Sequence, residues 1–480
     1  MSGRPFFSYG LAVLLSACAA VGPDYQPPKV ESPKQWGGTS GMAVPAAASV
    51  RLDVWWRHFN DPSLNRLITD TLAANLDLKQ AWVKIKDARA QRYAIFAGAL
   101  PEVTGKSTVS RRYNNTSGTS ATGGGAAAGG FGVGNSLINI FQSGFDAAWE
   151  LDFFGGVQRA LEAADATIDS EMENSRAVQV SLLGEVARNY IDLRTNQQLL
   201  AIAQANITAQ QETLELTEVR QQSGLASMLD VSRAQAQLAV TTAQPPVNEA
   251  AVKQAIHALS VLTGRQPEAL AARLERSGQI PAVMDAAFAE LPSELLKRRP
   301  DIRRAERLMA LANATVGVAT SGLYPKINLS AFLGLQNMRI TDMTPLGKSW
   351  STAASLTLPI WNWGRINADI KSKQAQSEHT ALAYQAAVLT AFQEVEDALV
   401  AYRQEQQRQQ SLAQAVKADQ LAVALATELY QKGLVGFVDV LSAQQMLYQA
   451  QSDLVTSKAA LAQNLVALYK ALGGGWQMPS

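Results

Sequence analysis

Phe141-Gln142-Ser143-Gly144-Phe145-Asp146-Ala147-Ala148-Trp149-Glu150-Leu151-Asp152-Phe153 alternates in character from end to end. One set of alternate positions carries Phe141, Ser143, Phe145, Ala147, Trp149, Leu151 and Phe153; the other carries Gln142, Gly144, Asp146, Ala148, Glu150 and Asp152. Successive side chains of an extended chain point to opposite faces, so the stretch reads as a strand with one apolar and one acidic side. Strands of about ten residues with aromatic ends are the mark of an outer-membrane barrel, wet inside and lipid-facing outside. The half-buried sheet of a soluble domain alternates too, so the rest of the chain must decide. A second alternating pair lies at 326–338 and 348–361. There Ile327, Leu329, Ala331, Leu333 and Leu335 oppose Lys326, Asn328, Ser330 and Gln336, while Trp350, Leu356, Leu358 and Ile360 share a phase. With strands at 102–114 and 138–153 this makes four per chain. Four cannot close a barrel, and open edges do not survive in hydrocarbon. Three copies supply twelve strands, so a trimer is the simplest closure.

The two strand pairs belong to an internal duplication. A shift of 209 aligns Phe154-Gly155 with Trp363-Gly364, Glu185-Val186 with Glu394-Val395, Gly224-Leu225 with Gly433-Leu434 and Asp230-Val231 with Asp439-Val440. Upstream the offset becomes 224, and the extra residues fall in the Gly/Ser/Ala-rich stretch Thr116 to Gly134. That stretch lacks the Lys-Ser/Thr of a phosphate loop and reads as an outer loop. Each copy runs helix, two strands, long helix, turn, helix. A helix from Arg159 to Gln222 would span roughly 95 Å at about 1.5 Å per residue, a rod or a tube wall. Small residues on two stripes, such as Ala415, Ala418, Ala422 and Ala426, allow neighbours on both sides; a two-helix coiled-coil spacer has the same pattern. Pro245-Pro246 interrupts the second helix of the first copy only.

Composition excludes several classes. Lys and Arg number 42 against 41 Asp and Glu, and charged residues make up 17%. This balance argues against a nucleic-acid partner. Three histidines and one cysteine leave too few soft ligands for a zinc site, an iron–sulfur cluster or a disulfide framework. His58, His257 and His379 lie on separate segments. There is no Gly-x-Ser-x-Gly, His-Glu-x-x-His or Walker A; no cofactor and no enzymatic activity are expected, and energy for transport must come from a partner. Ala occupies 78 positions, which favours closely packed helices.

Residues 1–17 read as a signal peptide with Arg4, an apolar stretch from Phe6 to Leu15 and small residues before the sole cysteine. Leu15-Ser16-Ala17-Cys18 looks like a lipobox, which would leave Cys18 acylated as the first mature residue; an ordinary secretory signal with an incidental cysteine is the alternative. Ala19 in the following position fits sorting to the outer membrane. Three acyl chains exceed the two signals that stable anchoring needs. No later stretch offers 18 consecutive apolar residues, so membrane crossing falls to the strands.

Several motifs carry a family resemblance. Gly22-Pro23-Asp24-Tyr25, Trp55-Trp56 with Phe59 and Asp61-Pro62, Trp149 to Gly155, Arg298 to Glu306, Leu323-Tyr324-Pro325-Lys326 and Leu468 to Trp476 resemble outer-membrane efflux lipoproteins of the OprM/NodT type, within the TolC-like outer membrane factors. The resemblance covers residues 18–476. It implies an α+β membrane protein: a homotrimer with a twelve-stranded outer-membrane β-barrel continued by a periplasmic α-helical barrel. It also implies the exit duct of a tripartite pump, docked to a periplasmic adaptor and an inner-membrane transporter of the RND type. A type I secretion duct or a passive porin-like duct shares the barrel. The divisions expected are a signal peptide (1–17), a lipid-anchored segment (18–60), a first repeat (61–244), a linker and equatorial region (245–291), a second repeat (292–472) and a tail (473–480).

Carried over from the TolC and OprM patterns, the periplasmic gate falls on Val438, Asp439, Phe437, Ser442, Tyr430 and Asp230. Ser442 and Gln445 replace charged partners, which favours apolar closure by Val438 with Phe437 over an ionic lock. A Tyr430–Asp230 hydrogen bond is expected to hold the mouth, so that Tyr430→Phe would raise conductance; pairing of Asp230 with Arg233 is the rival. Gly224, Leu225, Gly433, Leu434 and Gly436 are expected at tips that meet the adaptor, or simply to cap helices. Ten scattered methionines form no cluster.

Overall fold

A computed structural model describes residues 20–28, 33, 36–37, 51–114, 136–282 and 292–477. Cys18, the signal segment, the whole Thr116–Gly134 loop and the last three residues lie outside the described residues. After a 3-10 turn at Leu52–Phe59, the elements are α1 (Pro62–Ala74), α2 (Leu76–Gly98), β1 (Glu102–Asn114), β2 (Ser136–Leu151), α3 (Gly156–Gln222), α4 (Met228–Thr242), α5 (Pro245–Leu262), α6 (Ala271–Leu274), α7 (Pro292–Arg298), α8 (Pro300–Ser321), β3 (Lys326–Asn337), β4 (Lys348–Thr357), α9 (Arg365–Gln431) and α10 (Phe437–Ala471). The duplication is exact in the long helices: α3 and α9 each have 67 residues, and their ends match at the offset of 209. The pair Pro245-Pro246 splits α4 from α5, where the second copy has the unbroken α10.

Two compact units make up the chain, and they do not follow the two repeats. One comprises the described residues up to Gln26 with Asp87–Ile168 and Leu308–Thr380; the other comprises Pro27–Lys86, Asp169–Arg307 and Ala381–Ser480. Each unit draws on both copies, and in the first, β2 of one copy pairs with β3 of the other.

The first unit holds one antiparallel sheet in the order β1-β2-β3-β4. Phe145 stands opposite Gly105 and Leu333, and Leu333 opposite Trp350, so one face carries the apolar set across all four strands. Val103, Val109, Phe145, Leu333, Trp350 and Leu356 on it are all exposed. The other face is polar, though less acidic than β2 alone implies: Lys326 Nζ meets Glu150 at 2.9 Å, and Phe332 is buried over Gly144 and Gly334. A Cβ on either glycine would collide with backbone of the opposite strand. Expected strand ends shift: β2 stops at Leu151 rather than 153, and β4 at Thr357 rather than 361. Pro359, which cannot donate to a ladder, lies just beyond the end of β4. The first described residues are strapped to this unit. The Arg159 guanidinium donates to the carbonyls of Ala20, Val21 and Gly22 and to Asp24 Oδ1 at 2.7 Å.

In the second unit the two chain-end motifs meet. Trp55 stacks on Tyr469 at 5.3 Å, the Gly475 N–H donates to the Leu52 carbonyl, and the guanidinium carbons of Arg176 and Arg303 lie 4.7 and 5.5 Å from the centre of the Trp476 ring. Burial pushes the Tyr469 hydroxyl pKa up. Arg299 from the 298–306 motif bonds Asp301 and the Ala471 carbonyl and pairs with Glu394 at 2.7 Å. None of the described helices is long and apolar enough to cross a membrane.

Candidate functional site at the helix tips

The second unit contains the turns that join α3 to α4 and α9 to α10. Both are made the same way. Gly224 and Gly433 adopt φ of +76° and +73°, a left-handed geometry that an L residue adopts only with strain. In the first turn the Leu225 N–H donates to the Arg220 carbonyl at 2.8 Å and the Gly224 N–H to that of Gln221 at 2.9 Å; in the second, Leu434 donates to Leu429 at 2.9 Å and Gly433 to Tyr430 at 3.0 Å. These are Schellman ends, which satisfy helix carbonyls that would otherwise be orphaned. Each following helix begins on an acidic residue in its first turn. Asp230 accepts from the Ser227 N–H and hydroxyl while Ser227 Oγ accepts from the Asp230 N–H, and Asp439 accepts from the Gly436 N–H at 3.1 Å. The glycines therefore do cap helices.

One expected contact is absent inside a single chain. Tyr430 and Asp230 are not bonded within the chain: the Asp230 carboxylate closes a capping box, with Arg233 at 3.9 Å, and Tyr430 Oη is buried with no hydrogen-bond partner. Tyr430 instead packs in an apolar cluster with Ala234, Phe437 and Val440, its ring 5.8 Å from Phe437. Phe437 is buried in the same cluster. It is 3% exposed, whereas the adjacent Val438 is 47% exposed. Helical geometry explains the split, because neighbours on a helix point about 100° apart. Asp439 is exposed and Ser442 half-buried. Leu225, Met228, Leu229 and Leu434 form the exposed apolar ends of the two turns.

Sequence reading missed the contacts that join the tips. Arg220, in the last turn of α3, donates from Nη1 to the carbonyl of Gln431, the last residue of α9, at 3.0 Å. Its guanidinium carbon lies 4.7 Å from the centre of the Tyr430 ring. Farther from the turns, Gln444 Nε2 donates to Thr213 Oγ1 at 2.8 Å, and Gln445 Nε2 to Gln237 Oε1. Among the described residues, no ion pair joins one tip to the other. A basic residue at a helix C-terminus was a local signal for Arg220; which helix it serves was not.

Nothing at the tips is arranged for catalysis. No group of three His, Cys, Asp or Glu side chains among the described residues could hold a metal ion. His58 Nδ1 contacts the Trp55 carbonyl, and His257 lies 3.7 Å from Glu268.

The pattern of the outer membrane efflux protein family matches residues 67–265 and 291–474, most of the chain. The chain belongs to the outer membrane efflux protein family. It is 34% identical to the pyoverdine export outer membrane protein OpmQ of Pseudomonas aeruginosa over 481 residues, covering 97% of this chain and 96% of that protein. It is 32% identical to nodulation protein T of Rhizobium leguminosarum bv. viciae over 469 residues, covering 98% of this chain and 93% of that one. The solved outer-membrane channel OprN superposes with a TM-score of 0.86 at 32% identity, covering 95% of this chain and all of that one. This efflux protein therefore has the fold of the trimeric, TolC-like outer-membrane channels, and it is an outer-membrane efflux channel of that type.

Proposed function

We propose that three copies of this efflux protein close one twelve-stranded barrel and form the exit duct of a tripartite pump. The sheet carries the reading: it has two unpaired edges, β1 and β4, and one continuous exposed apolar face. Pairing β4 of one copy with β1 of the next removes every edge, as hydrocarbon requires. The apolar face then meets lipid and the polar face lines water.

The finer parts of the reading follow from residues at each end. Cys18 is acylated and anchors the chain, and the Arg159 clamp on residues 20–24 fixes the chain beside the sheet within a few residues of that anchor. At the helix tips, exposed Val438 from each copy forms an apolar constriction, a barrier that works by dewetting. Asp439 contributes mainly as a helix cap, and Ser442 adds no charge. Leu225 and Leu434, flanked by Gly224, Gly433 and Gly436, offer apolar contacts to a periplasmic adaptor, which connects the duct to an inner-membrane transporter of the RND type. The chain acts as a duct and not as an enzyme. Its cargo is small molecules passed on by that transporter.

Purified protein in planar bilayers tests the reading. A heat-modifiable trimer with measurable conductance is expected; a monomer or a silent trimer overturns it. Incorporation of labelled palmitate, lost in Cys18→Ser, checks the anchor, and crosslinking from Leu434 to a co-purifying adaptor separates a pump duct from a porin-like one.

A further inference from the structure

We infer that Arg220 is the residue that ties the two helical hairpins of each chain together at the closed mouth. The inference rests on the duct reading above. The argument starts from two helix ends. The last carbonyls of an α-helix are unsatisfied and sit at the negative end of its dipole. α9 ends at Gln431, and the carbonyl of that residue is taken by Arg220, which belongs to the other hairpin. The same guanidinium covers the ring of Tyr430, the preceding residue, at 4.7 Å. One side chain of α3 thus holds the last turn of α9 through a charge-assisted hydrogen bond and a cation–π contact.

The position is specific to one repeat. At the offset of 209, Arg220 corresponds to Leu429, so the second copy has no equivalent arm and the tie runs one way. Its other atoms leave the tie releasable: Arg220 Nε is buried without a partner, and only Nη1 bonds the helix end. Of the other hydrogen bonds between the hairpins, Gln444 to Thr213 and Gln445 to Gln237 are neutral and lie deeper along the helices, and Gln463 to the Asp192 carboxylate lies deeper still. Parting of the α9/α10 hairpin from the α3/α4 hairpin must break the Arg220 contact, whichever way the hairpins move. Arg220 is therefore a positioning residue for the closed state.

Single-channel recording in planar bilayers tests this with Arg220→Ala, Arg220→Lys and Tyr430→Phe. Arg220→Ala is expected to raise the open fraction roughly tenfold, while the yield of heat-modifiable trimer stays that of wild type. Lysine can reach the carbonyl but lacks the planar stack, so Arg220→Lys is expected to restore part of the closure. Tyr430→Phe keeps the ring under Arg220 and removes an unpartnered hydroxyl, and it is expected to open the channel far less than Arg220→Ala. If Arg220→Ala matches wild type, or if Tyr430→Phe opens the channel and Arg220→Ala does not, the assignment is overturned. Absence of any conductance from the wild-type trimer would instead count against the duct reading.

Discussion

The two tips share one backbone and differ in what they do with it. At the offset of 209, Gly224 answers to Gly433, Leu225 to Leu434 and Asp230 to Asp439, and each pair has the same turn hydrogen bonds and the same acidic first turn. The side chains have parted company. Met228, the first residue of α4, is 61% exposed, while its counterpart Phe437 is 3% exposed. Gln221 in the first copy stands where Tyr430 is buried in the second, and Arg220 stands where the second has Leu429. Duplication thus preserved what the turn needs, a left-handed glycine and a capped helix start, and left the rest free. The second tip became the anchored one and the first became the arm that holds it.

The largest expected break in this comparison comes from the Met228 and Phe437 pair. Phe437→Ala removes a buried ring from the cluster with Tyr430, Ala234 and Val440, a change that costs about 3–5 kcal/mol in well-packed sites. Met228→Ala should stay within roughly 0.5 kcal/mol, as surface substitutions do. Hydrogen exchange of the first turns of α10 and α4 would read this locally. Equal destabilisation at both positions would mean that the first tip is buried against something in the assembly, most simply the adaptor or a neighbouring copy.

Much of this architecture was legible because it rests on periodicity. Alternation along Phe141–Phe153 marked the strand faces, and the repeat at 209 marked two long helices before any contact was known. Strand ends were less legible: Trp361 and Trp363 keep the aromatic look of β4 although pairing stops at Thr357, ahead of Pro359. At the tips, local chemistry was readable and was outweighed by analogy. Ser227-Met228-Leu229-Asp230 has the spacing of a capping box, which turns Oδ2 of the Asp230 carboxylate back onto its own helix start. The Arg220 contact spans 211 residues and depends on which helices pack side by side, so no local pattern could have located its partner.

A smaller effect is expected at the caps. Ser227→Ala removes the hydroxyl that accepts the Asp230 N–H and should cost about 1 kcal/mol of local stability in α4. It should leave α10 untouched, because the second tip uses no side chain at that position. Exchange rates at the first turn of α4 should rise roughly fivefold, with those of α10 unchanged; a matching rise in α10 would show that the two tips open as one unit.

The reverse graft is the most delicate test. Gly436 sits at the start of α10 with φ of −81° and ψ of 160°, an extended geometry open to any L residue, and a Cβ there would come no closer than 3.8 Å to Asp439 Oδ2. Gly436→Ser therefore meets no steric objection and installs the hydroxyl that the first tip already has. Two terms favour it, a side-chain cap in place of a bare one and a smaller conformational entropy in the unfolded segment. Together they should stabilise α10 by about 0.5 kcal/mol, read as exchange slowed roughly twofold in its first turn. The added hydroxyl competes for the Asp439 carboxylate, as Ser227 does for Asp230, and leaves the Gln431 carbonyl to Arg220. Conductance should therefore stay that of wild type while the turn stiffens. If the variant instead opens the channel, the bare glycine cap is part of the closed mouth, and the likeness between the two tips ends at the backbone.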